Sequence, residues 1–152
     1  MVSIQLDIII IFYGIISGLF ATIIMTLIQI IAWTKLHTEG ILEWHENIKL
    51  LSKINKKTNY STQYSFIFHF IHGSLGGIGF AIVLETLNLQ QYPLIIGILG
   101  GLLFMGIILK IHKKITDLDP IRHPLGYKPF LVSLISHIIY GLTLGYFYNI
   151  LI

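Results

Sequence analysis

Three histidines stand in stretches of the 152-residue chain that carry no formal charge: His69, His72 and His137. An ionisable side chain at membrane depth is costly, which makes it a functional candidate by default. His69 and His72 are three residues apart and share a helix face. Imidazoles from two helices can ligate a transition metal or a haem iron, and glycines one turn away would admit a flat macrocycle. The same rings, kept neutral, can instead hydrogen-bond across a helix interface, which needs one partner and not two aimed rings. Both readings follow from the residue types, the second making fewer demands.

The remaining polar residues carry weaker signals. Glu85 and Asp7 fall at one membrane boundary, where a carboxylate stays hydrated and anchors more readily than it relays protons. Gln29 and Asn149, near span ends, read as packing hydrogen bonds. His112, Asp117, Asp119 and His123 share a connecting stretch, but their spacing matches no zinc signature. Glu43, His45 and Glu46 do not form His-Glu-x-x-His, and neither Gly-x-Ser-x-Gly nor a P-loop occurs. With no cysteine, disulfides, thiolate catalysis and Fe-S clusters are excluded.

Composition sets the elements that must position these groups. Hydrophobic residues make up 55% of the chain and charged ones 11%, against roughly 25% charged in a soluble domain, which excludes that class. The expected fold is an all-α integral membrane bundle of four transmembrane helices. Residues 8–33 follow Asp7 without a charge and form the first span; 65–84, 93–109 and 129–152 form the others. Pro93 and Pro129 suit the first turns of the third and fourth. The first span lacks the basic flank, short apolar core and cleavage site of a signal peptide, so it is expected to be retained. Between the first two spans, Ile41, Trp44, Ile48 and Leu51 recur at helical spacing, which predicts an interfacial helix at about 39–54.

All ten Lys and Arg side chains fall in the first and third connections, five in each. The positive-inside rule puts those loops in the cytoplasm and both termini outside. The net charge of +3 is too small to suggest nucleic acid, so the expected partners are membrane lipid and other transmembrane subunits. Thirty-two isoleucines, and nine lysines to one arginine, suggest an A+T-rich prokaryotic genome and a prokaryotic cell membrane.

The spans also carry an internal echo. Ser65, His69, Ile71, Gly73 and Gly77 match Ser133, His137, Ile139, Gly141 and Gly145, a shared Ser-x-x-x-His-x-Ile-x-Gly-x-x-x-Gly. The first and third spans share Gly-x-x-x-Gly, at Gly14 and Gly18 and at Gly97 and Gly101. This predicts two helical hairpins in parallel repeat about the membrane normal. Small residues at every fourth position form ridges along which backbones approach closely, in the bundle core or against a partner.

The order of a Gly-x-x-x-Gly first helix followed by His-x-x-x-Gly-x-x-x-Gly in the second and fourth resembles small uncharacterised four-helix membrane families. In size and lack of a soluble domain the chain is also similar to the helical accessory subunits around archaeal ammonia monooxygenase. That likeness is one of architecture; with no catalytic constellation and a packing stripe on every helix, the expected role is a non-catalytic structural subunit of a multi-subunit membrane complex such as a membrane oxidoreductase, with no cofactor of its own. The alternatives are an electron-transfer protein holding haem or a transition metal on His69 and His137, with His72 as a third ligand for a metal, and a small transporter built on the repeat.

Overall fold

The computed structural model describes residues 8–37, 51–53, 62–116 and 126–152. They form four long helices: α1 (Ile8–Leu36), α2 (Thr62–Thr86), α3 (Pro93–Thr116) and α4 (Lys128–Leu151). Each is long and apolar enough to cross a membrane, so the fold is an all-α four-span bundle. Of the expected interfacial helix, 51–53 are helical and the rest lies outside the described residues, as do Asp7, Glu43, His45, Glu46, Asp117, Asp119 and His123.

The observed helices overrun the expected spans. α3 continues past Leu109 to Thr116, carrying Lys110, Lys113 and Lys114 with it. Lysine is a good helix former and favours the negative end of the helix dipole, so leaving the apolar layer does not end the helix. Between α2 and α3 the chain turns in six residues. Leu89 N–H donates to the Leu84 carbonyl at 2.9 Å and Asn88 N–H to that of Glu85 at 3.4 Å, a Schellman closure. It requires a left-handed residue after the last turn, supplied by Asn88 at φ 54°. Pro93 then opens α3, where a missing N–H costs nothing.

α1 packs against α2 and α4, α3 packs mainly against α4, and α2 and α3 touch only sparsely. The glycines set the close contacts. A Cβ on Gly14 would lie 2.7 Å from the Gly77 carbonyl oxygen, and one on Gly18 2.5 Å from that of Gly73. In the second hairpin Gly97 faces the Gly141 carbonyl, Gly101 that of His137, and Gly145 that of Pro93. All eight stripe glycines are thus used inside the chain, seven of them against backbone and Gly73 against the Thr22 side chain.

These contacts also fix the relation between the hairpins. Since Gly141 corresponds to Gly73, Gly97 takes the place of Gly18, one turn away from the match that the glycine spacing suggests. Phe80 and Tyr148 hold corresponding positions in α2 and α4, and their rings meet edge to face at 5.4 Å between centroids, which places an approximate twofold between them. The core around that pair is Ala21, Met25, Ala81, Leu84, Tyr140 and Leu144.

Candidate functional site

Buried side chains are sorted along the bundle. Toward the end bearing Lys35, Lys110 and Lys128 the enclosed groups are Thr26, Gln29, Ser65, His69, Ser136 and His137. Toward the other end they are mainly Phe80, Ala81, Leu84, Leu144 and Tyr148. The histidines therefore sit in a polar layer inside the basic half.

His69 is held by α1. Its Nε2 lies 3.2 Å from the Thr26 hydroxyl, which donates its own proton to the Thr22 carbonyl at 2.7 Å. Thr22 repeats the pattern toward the Gly18 carbonyl at 2.7 Å, so both threonine hydroxyls are satisfied one turn back, whereas the buried Ser17 hydroxyl on the same helix has no hydrogen-bond partner among the described residues. His137 is held within its own helix. Its Nδ1 is 2.8 Å from the Ser133 carbonyl oxygen, an acceptor only, so Nδ1–H donates within α4. The His137 ring lies 6.4 Å from that of Phe104 on α3. The contacts described for each repeat-related imidazole thus fall inside its own hairpin. His72 is half-buried on another face of α2, edge-on to Phe68 at 4.3 Å. Among the described residues no group of three or more metal-ligating side chains gathers.

One polar group links the hairpins across the diagonal. The buried Tyr140 hydroxyl on α4 donates to the Gly73 carbonyl on α2 at 2.7 Å. A Cβ on Gly76 would stand 2.6 Å from that hydroxyl, so Gly76 keeps the path open. Tyr140 was not among the sequence candidates; its place in the repeat, opposite His72, was the signal available.

Two expectations need correction. Gln29 is 2% exposed, but its Oε1 has no hydrogen-bond partner among the described residues. Asn149 is exposed, since the last turn of α4 reaches the bundle rim beside Gln91 and Tyr92. Glu85, at the same end, accepts from Gln90 Nε2 at 3.0 Å across the α2–α3 turn.

Residues 10–152 match DUF6789, a family of unknown function. The chain belongs to the DUF6789 family. No curated protein and no solved structure matches it. The match takes in all eight stripe glycines and all three intramembrane histidines, so the site belongs to the family's span of the chain.

Mostly in the apolar half of the bundle, a cleft of about 620 Å³ lies between α2 and α3, backed by Tyr140 and Leu144 of α4. Gly79 and Gly100 line it, and a Cβ on either would meet no atom within 4 Å.

Proposed function

We propose that the protein is a non-catalytic structural subunit of a larger membrane assembly, joined to its neighbour by the outer flank of α3. The observation that carries this reading is how little of α3 the bundle covers. It hides about half as much of its apolar length as each of the other helices. Gly97, Gly101 and Met105 face α4, while Gly100, Leu103 and Ile107 face the cleft. Ile95, Leu102 and Gly106 form a third face, and a Cβ on Gly106 would meet nothing within 4 Å. In lipid, helices associate through close backbone approach at small residues. Gly106 offers such a site on a face that the described residues leave uncovered.

The confinement of all ten basic side chains to the first and third connections supports a cytoplasmic placement of both basic loops, with both termini outside a prokaryotic cell membrane. The likeness to helical accessory subunits such as those of archaeal ammonia monooxygenase supports a membrane oxidoreductase as the host complex.

The test is a photoreactive side chain placed at Gly106, compared with one at Ile67 on α2. The proposal expects a single protein adduct from position 106 in native membranes and lipid adducts from position 67. Lipid adducts alone from both positions would overturn it.

A further inference from the structure

α3 carries its charge differently from the helix it repeats. With Gly97 in the place of Gly18, Lys110, Lys113 and Lys114 correspond to Ile31, Thr34 and Lys35 of α1. One lysine closes α1, whereas three occupy the matching stretch of α3. A single cation at the end of a span serves the orientation rule and the negative end of the helix dipole, as α1 shows, so α3 carries two in excess of that need.

The three lysines share one surface. Spacings of three and four residues put Lys110, Lys113 and Lys114 on one face of the helix, and all three are exposed. They stand on continuous helix, since α3 is unbroken to Thr116. Their face is turned away from α4. Lys110 follows Gly106 by one turn, and it lies nine residues, or about two and a half turns, from Gly101, which abuts the His137 carbonyl. Asp117 and Asp119 come next in the chain, which leaves the third connection with five basic side chains to two acidic ones.

Depth decides which anions these side chains meet. At helical rise, Lys110, Lys113 and Lys114 stand about 26, 30 and 32 Å from Pro93 along the axis, against a hydrocarbon layer of ~30 Å. With Pro93 at one boundary, Lys113 and Lys114 fall at the other. Lys110 lies slightly inside it, and its four-carbon stem is long enough to carry the ammonium out to the same level. Phospholipid phosphates occupy the polar layer that begins there.

We infer that this face of α3 holds the anionic headgroup of a phospholipid from the leaflet at the basic end of the bundle, with Lys110, Lys113 and Lys114 around its phosphate. Basic side chains clustered beside a span recognise such headgroups by charge, and ammonium-to-phosphate hydrogen bonds are among the strong ones. The inference goes beyond the subunit reading and does not depend on it, because the chain alone suffices for the test.

The full chain in mild detergent is titrated with phosphatidylglycerol or with phosphatidylcholine of identical acyl chains, and bound lipids are counted by native mass spectrometry. Phosphatidylglycerol is expected to bind at least about tenfold more tightly, with the preference shrinking at high salt. Lys110→Gln and Lys114→Gln are each expected to weaken its binding by about fivefold, and their combination with Lys113→Gln to abolish the preference. Glutamine is a good helix former, so helix content should be unchanged. Lys35→Gln, Lys53→Gln and Lys128→Gln together remove the same charge from other segments and are expected to leave the preference in place. Equal binding of the two lipids, the result expected if the lysines instead pair with an acidic protein segment, would overturn the inference. So would single α3 variants that bind as the parent does, an equal loss in the control, or displacement of the lipid by inorganic phosphate, which would make the site one for a free anion.

Discussion

If backbone contact at the glycines holds the hairpins together, one methyl should separate used glycines from spare ones. In Gly18→Ala the new Cβ lies 2.5 Å from the Gly73 carbonyl oxygen and 3.2 Å from the Cα atoms of Ser74 and Gly77. None of these is a side chain that can swing away. Restoring an ordinary contact of about 3.4 Å to that oxygen moves α1 and α2 apart by about 0.9 Å. A gap of that size forfeits roughly a quarter to a half of the pairwise attraction along the interface, and overpacking of this kind typically costs about 1–3 kcal/mol. Gly79→Ala is the control, because it adds the same methyl where no atom lies within 4 Å. Both changes gain helix propensity of up to about 1 kcal/mol, so their difference isolates packing. Gly18→Ala is expected to be less stable than Gly79→Ala by about 1–3 kcal/mol. Unfolding in mixed detergent micelles, followed by far-ultraviolet circular dichroism, measures that difference. Stabilities within about 0.5 kcal/mol of each other would refute the packing argument.

Tyr140→Phe removes the diagonal hydrogen bond and should cost about 0.6 kcal/mol and no more than about 1.7, because the Gly73 carbonyl keeps its place in the α2 helix ladder; a loss well above that range in the same assay would mean that Tyr140 organises the core. His69→Gln should retain the fold, because a Gln amide can still donate to Thr26, and the parent should show neither a Soret band nor stoichiometric iron, copper or zinc. A bound metal lost in both His69→Gln and His137→Gln would move the assignment to electron transfer. Reporter fusions at the C-terminus should be active only when the reporter functions outside the cytoplasm, and cytoplasmic activity would reverse the orientation.

The class and the helix count were legible because charge spacing and apolar length leave few alternatives for a chain like this. The His-x-x-x-Gly-x-x-x-Gly string was legible for a related reason, since ridges at every fourth residue have a direct packing meaning. Register was not. A glycine ridge repeats each turn, so Gly97 matches Gly14 as well as Gly18, and only the backbone contact with Gly141 decides between them. The open α2/α3 interface was hidden as well. Both faces are apolar and contain glycine, so nothing in the pattern says which of two symmetry-equivalent interfaces closes. His69 and His137 illustrate a third limit: the repeat gives them equal positions, yet a hydroxyl on α1 lies beside His69 Nε2 and a carbonyl of α4 itself beside His137 Nδ1. Spacing reports where a ring sits and not which neighbours its nitrogens meet.

The Gly106 flank is also where the account is most directly tested. A tagged full-length chain, extracted from its native membrane in mild detergent, is weighed as an intact particle by native mass spectrometry, beside Gly106→Trp. The account predicts a particle of fixed stoichiometry containing at least one other transmembrane protein, which Gly106→Trp releases while the chain keeps its helix content. A parent particle made of this chain and lipid alone would contradict it.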